Sequence, residues 1–219
     1  MLRRGGITLS EFDAPQQTIR AAERLDMPDI HSLAVFCGSR VGGDPAFASA
    51  GRIVGQGMAR LGIRLVYGGG RIGMMGVVAD AVLGAGGSAI GIIPRFLMDR
   101  EVAHKGLQQI EVTESMHSRK TRLYEEADAF LIMPGGLGTF DEAFEVITWR
   151  QLHLHEKPIL LCDVAGWARP FAALIDHAVA SGFTDARVRD MVEVIAGPEA
   201  VVDRLASLKP GSGGPANRL

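Results

Sequence analysis

Cysteine is nearly missing from this chain. Two occur among 219 residues, Cys37 and Cys162, each closing an apolar run. A disulfide framework or a thiolate metal centre needs more ligands at closer spacing. Both therefore read as small core residues at strand ends in a reducing compartment, and the expected location is the cytoplasm. Net charge is small as well: 23 Lys and Arg stand against 25 Asp and Glu, for a formal charge of −2. Without a basic stripe, a nucleic-acid partner is disfavoured. No apolar run reaches the roughly 18 residues of a membrane span, so no membrane partner is expected. Arg3-Arg4 is not followed by an apolar stretch, which argues against a secretory or twin-arginine leader. A Walker sequence is absent. The first predicted strand runs into Gly38-Ser39-Arg40-Val41-Gly42-Gly43, which lacks the spacing of a dinucleotide fingerprint. P-loop hydrolysis and NAD binding are both disfavoured.

What is abundant is glycine, 28 of 219 residues, roughly twice average usage. The excess sits in turns after apolar runs. Short apolar segments, predicted as strands at 33–37, 64–67, 89–93, 109–112, 129–133, 158–162 and 192–195, alternate with helical patterns at 45–61, 73–85, 115–127, 141–153, 167–181 and 198–208. Nearly continuous apolar strands alternating with helices predict an α/β fold, a Rossmann-like parallel sheet with helices on both faces in a single domain. The domain is expected over 31–208. Residues 1–30 read as an N-terminal arm, disordered in part, and 209–219 as a flexible tail by composition.

Ligands of such sheets bind beyond the carboxyl ends of the strands. Three of those ends carry glycine turns: Gly38-Ser39, Gly68-Gly69-Gly70 and Gly135-Gly136-Leu137-Gly138. The Gly68 stretch alone reads equally well as a tight turn with close helix–sheet packing. Pro134-Gly135-Gly136-Leu137-Gly138-Thr139-Phe140-Asp141-Glu142 is more informative. It predicts a strand, a glycine turn and a helix N-terminus with two acids in the first turn. Such a turn offers free N–H groups and a helix dipole to an anion, with carboxylates nearby. Successive helical positions lie about 100° apart, so Asp141 and Glu142 are not expected to face one ligand together. One would be catalytic, the other positional. Upstream, Met116-His117-Ser118-Arg119-Lys120 opens a helix. It reads either as a solvated basic turn or as a source of a guanidinium for a phosphate, a base or a carboxylate. His117 reads as a cap or packing residue.

Pro134-Gly135-Gly136-x-Gly138-Thr139-x-x-Glu142, with Met116-His117-x-Arg119-Lys120 before it, resembles the Lonely Guy (LOG) family. Its members are cytokinin riboside 5′-monophosphate phosphoribohydrolases, many long labelled lysine decarboxylases. The resemblance runs from about Leu33 to Phe183 and includes Gly73-Met74-Met75-Gly76 and Glu145-Val146-Ile147-Thr148-Trp149. It implies hydrolysis of the N-glycosidic bond of an adenosine 5′-monophosphate, often N6-substituted, giving free base and ribose 5-phosphate. It implies a homodimer, or a larger assembly, and needs no metal or other cofactor. Arg119 and Glu142 match the family's catalytic pair. Glu101, Lys120, the segment Gly135, Gly136, Leu137, Gly138, Thr139, Phe140 and Asp141, and Thr148 match its substrate contacts. Gly38, Ser39, Gly68, Gly69, Gly70 and Met116 are further candidate contacts to the phosphate or nucleotide. Arg40 departs from the small polar residue of plant members, which bears on the phosphate or base pocket. Two rival readings share the fold: a broader nucleoside 5′-monophosphate nucleosidase for salvage, and a non-catalytic carrier of a nucleotide or the molybdenum cofactor.

Overall fold

The structure, a computed structural model, describes residues 29–101 and 103–211, the side chains of residues 99–101 excepted. The arm expected at 1–30 falls almost wholly outside the described residues, as does the tail from 212. In chain order the elements are β1 (Ser32–Phe36), α1 (Pro45–Arg60), β2 (Arg64–Tyr67), α2 (Gly73–Gly84), β3 (Ala89–Pro94), α3 (Arg95–Glu101), β4 (Gln109–Thr113), α4 (Met116–Glu125), β5 (Ala129–Ile132), α5 (Leu137–Gln151), β6 (Ile159–Asp163), α6 (Ala168–Ala180), a 3-10 turn (Ala186–Met191), β7 (Glu193–Ala196) and α7 (Pro198–Ala206). The seven strands form one sheet in the order β4-β3-β2-β1-β5-β6-β7, and every adjacent pair is parallel.

Alternation along the central strands explains the two layers, because successive side chains leave opposite faces. Leu33, Val35, Leu65, Tyr67, Leu131 and Leu160 face α1, α2 and α7. Ala34, Phe36, Val66, Ile90, Phe130 and Leu161 face α4, α5 and α6. Burial of both faces is what requires the near-continuous apolar runs seen in the sequence. Among the described residues, no helix is long and apolar enough to cross a membrane.

Three local expectations need correction. Helix α3 falls outside every predicted helical segment: Pro94 is the last residue of β3 and the helix starts directly behind it. The 3-10 turn was not anticipated either. Most consequential, α5 begins at Leu137 with Gly136 as its N-cap, and its first turn holds no acid. The glycine turn is shorter than predicted, and Asp141 and Glu142 lie in the second helical turn.

Candidate active site

The site is built where the chain leaves β1 and β5. The two loops touch: the Gly38 N–H donates to the Pro134 carbonyl at 3.1 Å. Gly135 permits this closeness, since a Cβ there would collide with the Thr139 hydroxyl and come within 2.8 Å of the Gly38 nitrogen. Beyond Gly135 the chain turns into α5, whose N-cap carbonyl, that of Gly136, accepts from the Phe140 N–H at 3.0 Å. Gly136 supplies no capping side chain. The N–H groups of Leu137, Gly138 and Thr139 therefore open the helix without helical acceptors, at its positive end.

A second helix brings the charge. Ser115 and Ser118 form a reciprocal capping box, Ser118 N–H to Ser115 Oγ at 3.1 Å and Ser115 N–H to Ser118 Oγ at 3.0 Å, which fixes the start of α4. One turn in, Arg119 is buried at 6% exposure. Its Nη2 lies 3.3 Å from Glu142 Oε1 on α5, and both side chains are largely withdrawn from solvent. Gly68 makes the space: a Cβ there would collide with Arg119 Nη2. Arg119 Nε is buried with no hydrogen-bond partner among the described residues, a costly arrangement that structural arginines avoid. Next along the helix, Lys120 bridges Asp141 Oδ2 at 2.8 Å and Glu145 Oε1 at 3.3 Å. So α4 and α5 are joined by two rungs, one buried at Arg119–Glu142 and one outer at Lys120.

Two adjoining cavities flank the α5 N-terminus. The smaller, about 240 Å³, is lined by Cys37, Met75, Leu97, Met116, Arg119, Glu142 and neighbours. The larger, about 550 Å³, runs between the β1 and β5 loops to Arg40, Val41, Phe47 and Trp167. Gly38, Ser39, Gly136 and Leu137 line both.

The electrostatics separate the acidic and basic groups. Burial alone lowers the Lys120 ammonium, but its bond to Asp141 and the charge of Glu145 outweigh that and leave it raised. Burial raises Glu145 more than Lys120 lowers it. Cys37, on the cavity floor, is held strongly to its thiol form by burial and by the nearby Glu142 charge. That makes it an inert wall and not a nucleophile.

Most predicted residues meet at this place. Gly38, Ser39, Met116, Arg119, Gly136, Leu137, Gly138, Thr139, Asp141 and Glu142 all line the smaller cavity, and Gly135 the larger. Asp141 and Glu142 line one cavity together, contrary to the expectation from helical geometry. They differ in depth instead: the Glu142 side chain is 13% exposed and the Asp141 side chain 58%. Gly68, Gly69 and Gly70 line neither cavity. Gly68 lies against Arg119, and the His104 N–H ties the next residue down by donating to the Gly69 carbonyl at 3.0 Å. His104 is itself fixed by Asp80 at 2.9 Å and by the Gly106 N–H at 3.1 Å. Phe140 is turned away, stacked on Trp167 with ring centroids 5.7 Å apart. Thr148 is exposed further along α5, outside both linings. Glu101 ends α3, and its side chain lies outside the described residues. His117 neither caps nor packs: Ser115 is the cap and His117 is exposed. Sequence reasoning missed Leu97, because α3 was missed, and Phe47 and Trp167. An aromatic just past the carboxyl end of β6 was the available signal for Trp167. Among the described residues, no group of three His, Cys, Asp or Glu side chains is placed to hold a metal.

Comparisons with known proteins bear on the family and the fold. The family model described as "Possible lysine decarboxylase" matches residues 75–205. The chain is 39% identical to the cytokinin riboside 5′-monophosphate phosphoribohydrolase of Rhodococcoides fascians, over 88% of this chain and 96% of that one. It is 41% identical to a probable cytokinin riboside 5′-monophosphate phosphoribohydrolase of Oryza sativa subsp. japonica, over 73% of this chain and 72% of that one. Among solved structures, the molybdenum cofactor carrier protein of Chlamydomonas reinhardtii superposes with a TM-score of 0.60 at 17% identity, covering 80% of this chain and 94% of that chain. The molybdenum cofactor binding protein of Rippkaea orientalis gives 0.59 at 20% identity, covering 78% and 93%. At these identities the two structures share the fold alone.

Proposed function

Because the chain belongs to the Lonely Guy (LOG) family of cytokinin riboside 5′-monophosphate phosphoribohydrolases, we propose that it hydrolyses the N-glycosidic bond of adenosine 5′-monophosphates, N6-substituted ones included. The products are free base and ribose 5-phosphate. The observation that carries this reading is the buried Arg119–Glu142 pair, 3.3 Å apart, beside an uncapped helix N-terminus across one small cavity.

The 5′-phosphate sits on the N–H groups of Leu137, Gly138 and Thr139, with the Ser39 hydroxyl and the positive end of α5. That position sets the ribose over Glu142. Cleavage passes through an oxocarbenium-like sugar, and the Glu142 carboxylate stabilises the charge and orients the attacking water. The water oxygen bonds to C1′ and the electrons of the C1′–N bond leave with the base. Glu142 takes the proton that the water gives up and passes it on through solvent to the departing base nitrogen, so that the carboxylate is restored and the base leaves neutral. A guanidinium is no practical proton donor, so that role does not fall to Arg119. It keeps Glu142 ionised and contacts the nucleotide. Lys120 and Asp141 hold the outer rung, where Asp141 contacts the substrate at the rim. Binding energy from the phosphate positions the reacting sugar.

We further propose a homodimer acting in the cytoplasm. Two buried free thiols, Cys37 and Cys162, suit a reducing compartment. Exposed Thr148 and the 62% exposed Leu152 leave the outer end of α5 available to a second copy. Phe144, Ile147 and Trp149 of the same helix pack against the chain's own core. Light scattering tests the dimer. A substrate panel of AMP, GMP, CMP and N6-isopentenyl AMP tests the activity. Ribose 5-phosphate from the adenine nucleotides supports the reading, and equal rates on all four would replace it with a salvage nucleosidase.

A further inference from the structure

The reaction uses only the smaller cavity, yet the larger one is more than twice its volume and shares its phosphate-binding rim. We propose that the larger cavity is a second nucleotide subsite, which takes the second phosphate and the aromatic base of a nucleotide extended through its 5′-phosphate, a 5′,5′-diphosphate-linked dinucleotide. This rests on the phosphate position assigned above.

Topology is the first argument. Strand order runs β2-β3-β4 to one side of β1 and β5-β6-β7 to the other, so the order reverses between β1 and β5. In open parallel sheets a dinucleotide lies across that crevice, one half on each side and its diphosphate at a helix N-terminus. Here the 15-residue α5 starts over the crevice. The smaller cavity lies on the β2 side, with Met75 and Leu97, and the larger on the β6 side, with Trp167. The missing fingerprint after β1 does not oppose this, because the phosphate-binding turn of this chain follows β5.

The chemistry of the walls is the second argument. Exposed Arg40 lines the larger cavity just past Gly38 and Ser39, one step beyond the 5′-phosphate. A guanidinium there suits a second phosphate. Further out stand two aromatic rings, Phe47 and Trp167. Both are preset. Trp167 is stacked on Phe140, with 13° between the planes, and Phe140 rests in turn on Phe171 at 6.0 Å. Phe47 packs against Gly42, where a Cβ would come within 2.6 Å of its ring. Rings already held in place lose little freedom on binding a base, and any base offers a face for stacking. Phe140 thus serves the ligand indirectly, from behind Trp167.

The test is calorimetric titration of the full chain carrying Glu142→Gln, which prevents turnover, with AMP, ADP and diadenosine 5′,5′-diphosphate. Diadenosine diphosphate should bind at least tenfold tighter than AMP, with ADP between them. Trp167→Leu should erase the dinucleotide's advantage and leave AMP within twofold, while Trp167→Phe keeps the advantage. Arg40→Gln should weaken ADP and the dinucleotide more than AMP. A dinucleotide that binds no tighter than AMP overturns the proposal, as does a Trp167→Leu loss shared equally by AMP and dinucleotide. The two readings fail separately: AMP hydrolysed by the unmodified chain without a dinucleotide advantage sinks the subsite alone, whereas dinucleotide binding without AMP hydrolysis sinks the hydrolase.

Discussion

Helix α4 carries two arginines one turn apart, and they are treated in opposite ways. Arg122 is one-third exposed and meets three carboxylates: Glu111 at 2.7 Å, Glu126 at 2.6 Å and Glu125. Arg64 completes the cluster by pairing with Glu126 at 2.7 Å. Hydrogen bonds that Arg122 itself donates, to Glu111 first and then Glu125, raise its guanidinium further above its already high range. Arg119 is buried, meets Glu142 at a looser 3.3 Å, and keeps an unpartnered Nε. A guanidinium held only for stability would be satisfied as Arg122 is. One buried above a cavity and only partly engaged is preorganised for a charge that arrives with the ligand.

The contrast can be broken by substitution. Glu142→Gln should keep nucleotide binding and lower kcat by about a thousandfold, within the usual range for removing a positioned acid or base. Steady-state kinetics beside a binding isotherm would show it, and a wild-type rate would remove Glu142 from the chemistry. Arg119→Ala should raise KM and lower kcat, for a combined loss of about a hundredfold in kcat/KM. A loss of stability with unchanged kinetics would make Arg119 a structural arginine like its neighbour.

A third cation bears on the far end of the same helix. The Lys157 ammonium is buried, donates to the Tyr124 carbonyl at 2.6 Å and lies 3.9 Å from the centre of the Tyr124 ring. Burial lowers it to about 8 from the ordinary 10.5, although Asp128 and Glu125 pull the other way. Between these values the unfolded chain holds a proton that the folded chain has lost. Stability therefore rises with pH across that window, by about 2 kcal/mol between pH 7 and pH 10. Denaturant titrations of the wild type and Lys157→Met at both pH values should show the gap between them widen by that amount in favour of the wild type. A constant gap would place the ammonium in a wetter site.

The smallest effect is expected at Arg122. Arg122→Ala should leave turnover within twofold and cost at most about 1 kcal/mol, because a cluster this exposed is screened by solvent. A large loss of activity there would dissolve the distinction between the two arginines.

The sheet was legible in the sequence for a physical reason. A strand buried on both faces cannot hide its apolar run, which is why β1, β2, β3, β5 and β6 were visible; the edge strands β4 and β7 are largely exposed and showed only short alternating runs. Helix α3 was hidden because a proline can end a strand as easily as it ends a regular segment. The start of α5 was hidden because glycine reads as turn even where it serves as an N-cap. The partnership of Arg119 with Glu142 follows from no local spacing. It came from the family resemblance, and the fold explains it: α4 and α5 follow one another on the same face of the sheet, with β5 between them in the chain. Gly68 to Gly70 show the opposite failure. They read equally well as a tight turn or as a phosphate contact, and the structure puts Gly68 against the arginine and outside both cavities. Phe47 was not read as a site residue, since nothing in an isolated helical aromatic tells which loop it will face, whereas Trp167 carried a signal in its place just past the carboxyl end of β6.

The most direct measurement is product analysis after incubation of the chain with N6-isopentenyl AMP, for the wild type and for Glu142→Gln. The wild type should release free base and ribose 5-phosphate in equal amounts, and the variant should bind the nucleotide yet release almost none. Intact nucleotide after incubation with the wild type, or equal release by the variant, would contradict the assignment.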